Sequence, residues 1–182
     1  MKFRPTKIPD VLLIEPTVHG DERGFFMEVY EENKFAEGGI PDKFVQDNYA
    51  GSKQGILRGM HYQIYHGQGK LVRAGAGEIY DVAVDVRRNS PTFGQWVGAH
   101  LSAENRHQLW VPVGFAHGYY VLSEWAEVSY KVTDIYVPDA CRYIAWDDPA
   151  IGIDWPLVNG QTPILSKADT DAPTMAEADL FE

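Results

Sequence analysis

The side chains in this sequence best suited to chemistry are His61, Lys70, His117, Tyr130 and Asp169. His61 stands in Arg58-Gly59-Met60-His61-Tyr62-Gln63, a stretch of strand character. Strict alternation would send Arg58 and His61 to opposite faces, but Gly59 between them allows a bulge that brings both to one side. A lone strand histidine otherwise rests on a backbone partner and does no chemistry. Lys70, in Gln68-Gly69-Lys70-Leu71-Val72, opens a strand; alone, it reads as a solvated surface lysine. Gly114-Phe115-Ala116-His117-Gly118 sets a histidine among small residues, as close approach by a ligand requires, and reads equally as a tight turn. Tyr130 shares a strand face with valines, the place of a core tyrosine whose hydroxyl finds one partner. Asp169, in Ser166-Lys167-Ala168-Asp169, suits a helix or turn cap, and Arg23, in Asp21-Glu22-Arg23-Gly24, a loop charge. Each therefore has a bland explanation. Together they supply a base, an aspartate to orient it, a phenol and several cations. That set suits proton abstraction next to a carbonyl, with the enolate held by positive charge.

A metal site is the competing use of these histidines. Ligands in small β-folds usually alternate His-x-His on one strand, whereas His61 is followed at that spacing by Gln63. His66 falls in a turn and His117 lies far along the chain. A three-histidine site of His61, His66 and His117 stays open, without support from local spacing.

Strands must position these residues. Aromatics make up 13% of the chain, and 17 Gly with 11 Pro punctuate it. In Glu78–Val86, Tyr80, Val82, Val84 and Val86 share one face, while Ile79, Asp81, Ala83 and Asp85 share the other. In Ala126–Val132, Ala126, Val128, Tyr130 and Val132 oppose Glu127, Ser129 and Lys131. Further short strands are expected at Val11–Ile14, Gly24–Tyr30, Phe44–Gln46, Gly55–Ile64, Leu71–Ala74, Gln95–Leu101, Gln108–Val111, Gly118–Leu122 and Arg142–Trp146. Helices are expected only over Tyr30–Glu37 and Thr174–Leu180. About ten short strands at regular spacing predict an all-β sandwich, jelly roll or barrel. At 182 residues the chain reads as one domain, with a turn-rich tail from about 147 folded onto it.

Composition narrows the function. A net charge of −10 argues against broad nucleic-acid binding, yet a local cluster of arginines can still hold an anionic small molecule. The single cysteine, Cys141, rules out an internal disulfide and a cysteine zinc cluster. No window approaches ~18 consecutive apolar residues, so no membrane span is expected. MKFRPTKIPD lacks the apolar stretch of a secretory signal, and a cytoplasmic location is the expectation.

From about Val11 to Asp169 the sequence resembles the dTDP-4-dehydrorhamnose 3,5-epimerase family. The resemblance is carried by D-E-R-G-F-F-M-E (21–28), Q-D-N (46–48), G-I-L-R-G-M-H-Y-Q (55–63), Q-G-K-L-V (68–72), S-P-T-F-G-Q-W (90–96), G-F-A-H-G (114–118), V-S-Y-K (128–131) and I-D-W-P (153–156). It implies a jelly roll of the cupin type, a homodimer, and chemistry without metal or other cofactor. It implies His61 as base with Asp169 its carboxylate partner, Tyr130 as acid on the opposite face of the sugar, and Lys70 at the enolate oxygen. Arg58 and His117 are implied as substrate contacts. Arg23, Glu28, Gln46, Asn48 and Tyr136 match positions that hold the nucleotide, some of them from the partner subunit. The implied substrate is a dTDP-4-keto-6-deoxyhexose.

Two positions depart from the family pattern. Cys141 stands where a glutamate is usual, and Ala168, with Lys167 one step earlier, where a basic residue precedes the aspartate. The His61–Lys70 interval is also one residue short. The expected activity is inversion at C3 and C5. A single-carbon epimerase would share the same catalytic residues. A metal-dependent cupin oxygenase and a non-catalytic nucleotide-sugar binder are the other classes; a binder needs no His61–Tyr130 pair.

Overall fold

A computed structural model describes all 182 residues. In chain order the strands are β1 (Lys2–Pro5), β2 (Leu12–Glu15), β3 (Val18–Asp21), β4 (Gly24–Met27), β5 (Gln46–Lys53), β6 (Leu57–Gln63) and β7 (Lys70–Ala76). Then follow β8 (Glu78–Asp85), β9 (Trp96–Ser102), β10 (Gln108–Val111), β11 (Phe115–Val121), β12 (Trp125–Val132) and β13 (Cys141–Tyr143). Two short helices complete the fold, α1 (Glu32–Glu37) and α2 (Lys167–Thr170). No helix is long and apolar enough to cross a membrane. The strands form a six-stranded sheet, ordered β1-β2-β10-β7-β12-β5, and a five-stranded sheet, ordered β13-β6-β11-β8-β9. β3 and β4 pair only with each other. All of these pairings are antiparallel, as the all-β jelly-roll expectation requires.

Alternation explains the layers. Ile79 and Ala83 of β8 meet Val72, Leu109 and Val128 of the other sheet, forming the core between the sheets. Val82, Val84 and Val86 face outward, where Ile144, just after β13, and Ile151, Trp155, Ala178 and Leu180 of the tail cover them. The outer face of the larger sheet, with Ile14, Leu71 and Trp110, is closed by Phe35 of α1 and by Ile40. The central strands of the smaller sheet are thus covered on both faces, and the polar side chains they bury, among them Asp81 and His117, stand out among apolar neighbours.

Some expected elements differ. The strand expected at Phe44–Gln46 instead runs Gln46–Lys53. Its sequence, QDNYAGSK, is polar because it is an edge strand, and Gly51 is roofed by Trp125 of β12, whose ring a Cβ there would meet at 2.4 Å. β1 and β3 were not expected, being four residues each and mostly polar or exposed. Thr174–Leu180 is not a helix: Asp148 Oδ2 takes the Met175 backbone N–H at 2.6 Å, and Ala178 and Leu180 are drawn into the outer core. A single helical turn forms instead at α2, capped by the Ser166 hydroxyl.

Candidate active site

β6 carries Arg58 and His61, and its pairing with β11 decides where they point. His117 pairs with His61 and Tyr119 with Arg58, so two steps on β11 oppose three on β6. That extra residue is the bulge expected at Gly59, and Arg58 and His61 line one cavity. Gly59 is obligatory there. Its φ is +138°, and a Cβ would meet the Gly118 Cα at 2.4 Å and the His117 carbonyl oxygen at 3.0 Å.

The cavity, about 350 Å³, lies between the sheets. Its walls include Arg58, His61 and His117 from the smaller sheet, Lys70 and Tyr130 from the larger, and Asp169 from α2. A second chamber of about 400 Å³ shares His61, Lys70 and Tyr130 as walls and adds Gln46, Asn48, Tyr136, Cys141 and Tyr143. The two form one cleft with an inner and an outer half.

His61 Nε2 is hydrogen-bonded to Asp169 Oδ1. A carboxylate only accepts, so Nε2 carries the hydrogen and Nδ1 keeps its lone pair for a substrate proton. Burial alone would push Asp169 up, but hydrogen bonds from His61 and Ser166 outweigh it and hold the carboxyl below its ordinary value. Ser166 Oγ donates to Asp169 Oδ2 at 2.7 Å, so both carboxylate oxygens are engaged. Lys70 is 8% exposed and donates to the His61 carbonyl at 3.2 Å. Burial lowers its pKa to about 8, against the pull of Asp81. Burial also raises the Tyr130 phenol, partly offset by Arg58, which keeps it protonated and able to donate. Arg58 is held by the Ser52 hydroxyl at 3.0 Å.

The histidines do not converge as metal ligands. His61 takes Asp169, His66 takes Asp134 at 3.0 Å, and His117 takes Asp81 at 2.8 Å. No three His, Cys, Asp or Glu side chains are placed to hold a metal ion together.

Gln46 and Asn48 stand together in the outer half, joined by a 2.8 Å hydrogen bond. Within one chain, Arg23 and Glu28 are not brought there. Arg23 sits exposed in the β3–β4 turn, paired with Asp21, and Glu28 binds Lys34 at 2.7 Å. Asp81 and Ser166 were missed from sequence. Alternation groups Asp81 with Ile79 and Ala83, and the structure makes that the core face of β8, where a carboxylate needs a reason. In fact it is fully buried, it partners His117, and its Oδ2 has no hydrogen-bond partner. The Ser166-x-x-Asp169 spacing is itself a capping signal.

Known proteins resemble this chain along nearly its whole length. The family model for dTDP-4-dehydrorhamnose 3,5-epimerase matches residues 5–177. A dTDP-4-dehydrorhamnose 3,5-epimerase of Pseudomonas aeruginosa is 57% identical over 182 residues, covering 100% of this chain and 99% of that protein. The crystal structure of a dTDP-6-deoxy-D-glucose-3,5-epimerase of Legionella pneumophila, in complex with dTDP-4-keto-L-rhamnose, matches with TM-score 0.96 at 49% identity, over 100% of this chain and 97% of that one. A 3'-monoepimerase of Streptomyces bikiniensis, in complex with dTDP-quinovose, matches with TM-score 0.88 at 34% identity, over 97% of this chain and 88% of that one. With identity and backbone agreeing along nearly the full length, the chain belongs to the dTDP-4-dehydrorhamnose 3,5-epimerase family.

Proposed function

We propose that this chain inverts C3 and C5 of dTDP-4-keto-6-deoxyglucose, in dTDP-rhamnose or related deoxysugar biosynthesis, with His61 and Tyr130 as the proton-transfer pair. Both carbons flank the C4 ketone, so each C–H can ionise into the same carbonyl. His61 takes the proton at Nδ1 while Asp169 steadies the imidazolium through Nε2. The electron pair moves to the C4 oxygen, where the Lys70 ammonium offsets the charge. One such donor is worth roughly 3–4 kcal/mol in comparable oxyanion sites. Tyr130 then gives its proton to the opposite face of the carbon; solvent restores the phenol and accepts the proton from His61. The observation that carries this reading is that His61 and Tyr130 project from opposing sheets into one cavity. A base and an acid on two sides of a flat enolate are what inversion needs.

Arg58 and His117 suit the sugar and the adjoining diphosphate, and Gln46, Asn48 and Tyr136 the nucleotide. Arg23 and Glu28 join the site if a second copy presents its β3–β4 hairpin. That hairpin pairs with neither sheet and leaves Phe25 and Phe26 57% and 73% exposed, which supports a homodimer. The test is turnover of dTDP-4-keto-6-deoxyglucose coupled to a reductase that accepts only the doubly inverted product. Reductant consumption supports the reading, and none, with intact protein, refutes it. The likeness to the 3'-monoepimerase favours one second reading, inversion at a single carbon. Proton NMR in deuterium oxide separates the two, since exchange at only one carbon selects the second.

A further inference from the structure

The segment after β12 that carries Tyr136 has no strand beside it, yet four successive residues, Asp134 to Val137, are tied down by glutamine side chains. Gln63, two residues past His61 on β6, is 3% exposed. Its amide nitrogen donates to the backbone carbonyls of His66 at 2.6 Å and Ile135 at 3.1 Å. Its amide oxygen accepts from the Val137 backbone N–H at 2.7 Å. Between them, the Tyr136 N–H goes to Gln46 Oε1 at 3.1 Å. Only an amide offers two donors at one end and an acceptor at the other, and the two carbonyls fix which end is which.

We propose that Gln63 is a positioning residue for the nucleotide half of the substrate. It ties the loop after β6 and the loop after β12 to one buried amide, and so sets Tyr136 at the wall of the outer chamber before substrate arrives. The neighbouring bonds run the same way: Gln68 Nε2 donates to the Asp134 carbonyl at 2.8 Å, and the Gly69 N–H to Thr133 Oγ1 at 2.8 Å. Tyr136 itself is 57% exposed, so packing does not hold it and the backbone must. A wall fixed in advance spares the ligand the cost of ordering it. This inference rests on reading the outer chamber as the nucleotide site.

The test uses Gln63→Glu and Gln63→Met in the full chain. The first keeps shape and the Val137 bond but faces two carbonyls with a carboxylate; the second loses all three bonds without adding charge. Both should raise KM for the keto-sugar and the calorimetric Kd for dTDP about tenfold, with kcat within about threefold. On a Tyr136→Ala background the same changes should add little. A proportional fall in kcat at unchanged KM and Kd means only a smaller folded fraction, and overturns the inference. So does failure of both variants to fold, because Gln63 would then be holding the barrel. If the unmodified protein does not turn over the keto-sugar, the functional reading fails instead, and dTDP binding alone decides the role of Gln63.

Discussion

Burying Lys70 carries a cost, and the role proposed for it at the enolate oxygen accounts for that cost. Burial drops its pKa from 10.5 to about 8, so below about pH 8 the folded protein holds a charge its interior disfavours. The shift is worth about 3 kcal/mol at neutral pH, and the cost fades as pH rises from about 8 towards 10.5. Lys70→Met should therefore be more stable at pH 7, by roughly 2–4 °C in Tm per kcal/mol recovered, while losing ~10²–10³ in kcat. Calorimetry and a coupled assay read the two effects; a destabilised or fully active variant would contradict this role. In the unmodified enzyme, kcat should fall as pH rises through about 8, where Lys70 sheds its proton. The chemistry-bearing side chains were legible in the sequence by type, because base, phenol and cation are read directly from the letters. Of their hydrogen-bond partners, only Asp169 was named there. Asp81 and Gln63 meet their partners only through strand pairing, which nothing local announces; the Ser166-x-x-Asp169 spacing announces a cap, but not that the cap lies beside His61.

At the level of elements, the bulge in β6 is the feature on which the site turns. Without it, His61 and Arg58 would face opposite sides of the smaller sheet. Gly59→Ala places a Cβ against the backbone of Gly118 and His117, at a φ of +138° that side chains rarely adopt. The neighbours are main chain and cannot swing aside. We expect a loss of roughly 1–3 kcal/mol from backbone strain and about as much again from overpacking. The urea midpoint should drop accordingly and kcat should fall with it; unchanged stability would show that the strands separate there at no cost. The glycine was readable as a bulge because it interrupts an alternating pattern. β5 was not readable, since an edge strand needs no apolar face and QDNYAGSK shows none. The tail misled for the opposite reason: helix-favouring residues in Thr174–Leu180 yield to the burial of Ala178 and Leu180.

For the whole molecule, three apolar layers share the two sheets, and the tail both closes the outer core and delivers Asp169 to His61. That interlocking supports reading the chain as one domain. The unpartnered β3–β4 hairpin and the distance of Arg23 and Glu28 from the cleft walls support a dimer whose sites are shared. Light scattering at micromolar concentration should give twice 20.5 kDa. Sharing has a sharper consequence. In a mixed dimer of Arg23→Ala and His61→Asn chains, one site receives both intact residues. Co-refolding the two weak variants should then restore about one quarter of wild-type activity, since half of random pairs are mixed and each has one good site of two. No recovery would place Arg23 outside its neighbour's site. Dimerisation could not be read from composition or periodicity; the resemblance to the family raised it, together with the general need to cover an exposed sheet edge.

The most direct measurement follows hydrogen exchange and inversion separately, by proton NMR in deuterium oxide, for His61→Asn and Tyr130→Phe. Removing a positioned acid or base should cost ~10²–10⁴-fold in turnover. His61→Asn lacks the base and should neither exchange nor invert. Tyr130→Phe keeps the base, so His61 can remove a proton and return a deuteron from the same side; substrate should gain deuterium while its configuration persists. Tyr130→Phe inverting at the wild-type rate would contradict the assignment of proton donor and acceptor to opposing sheets.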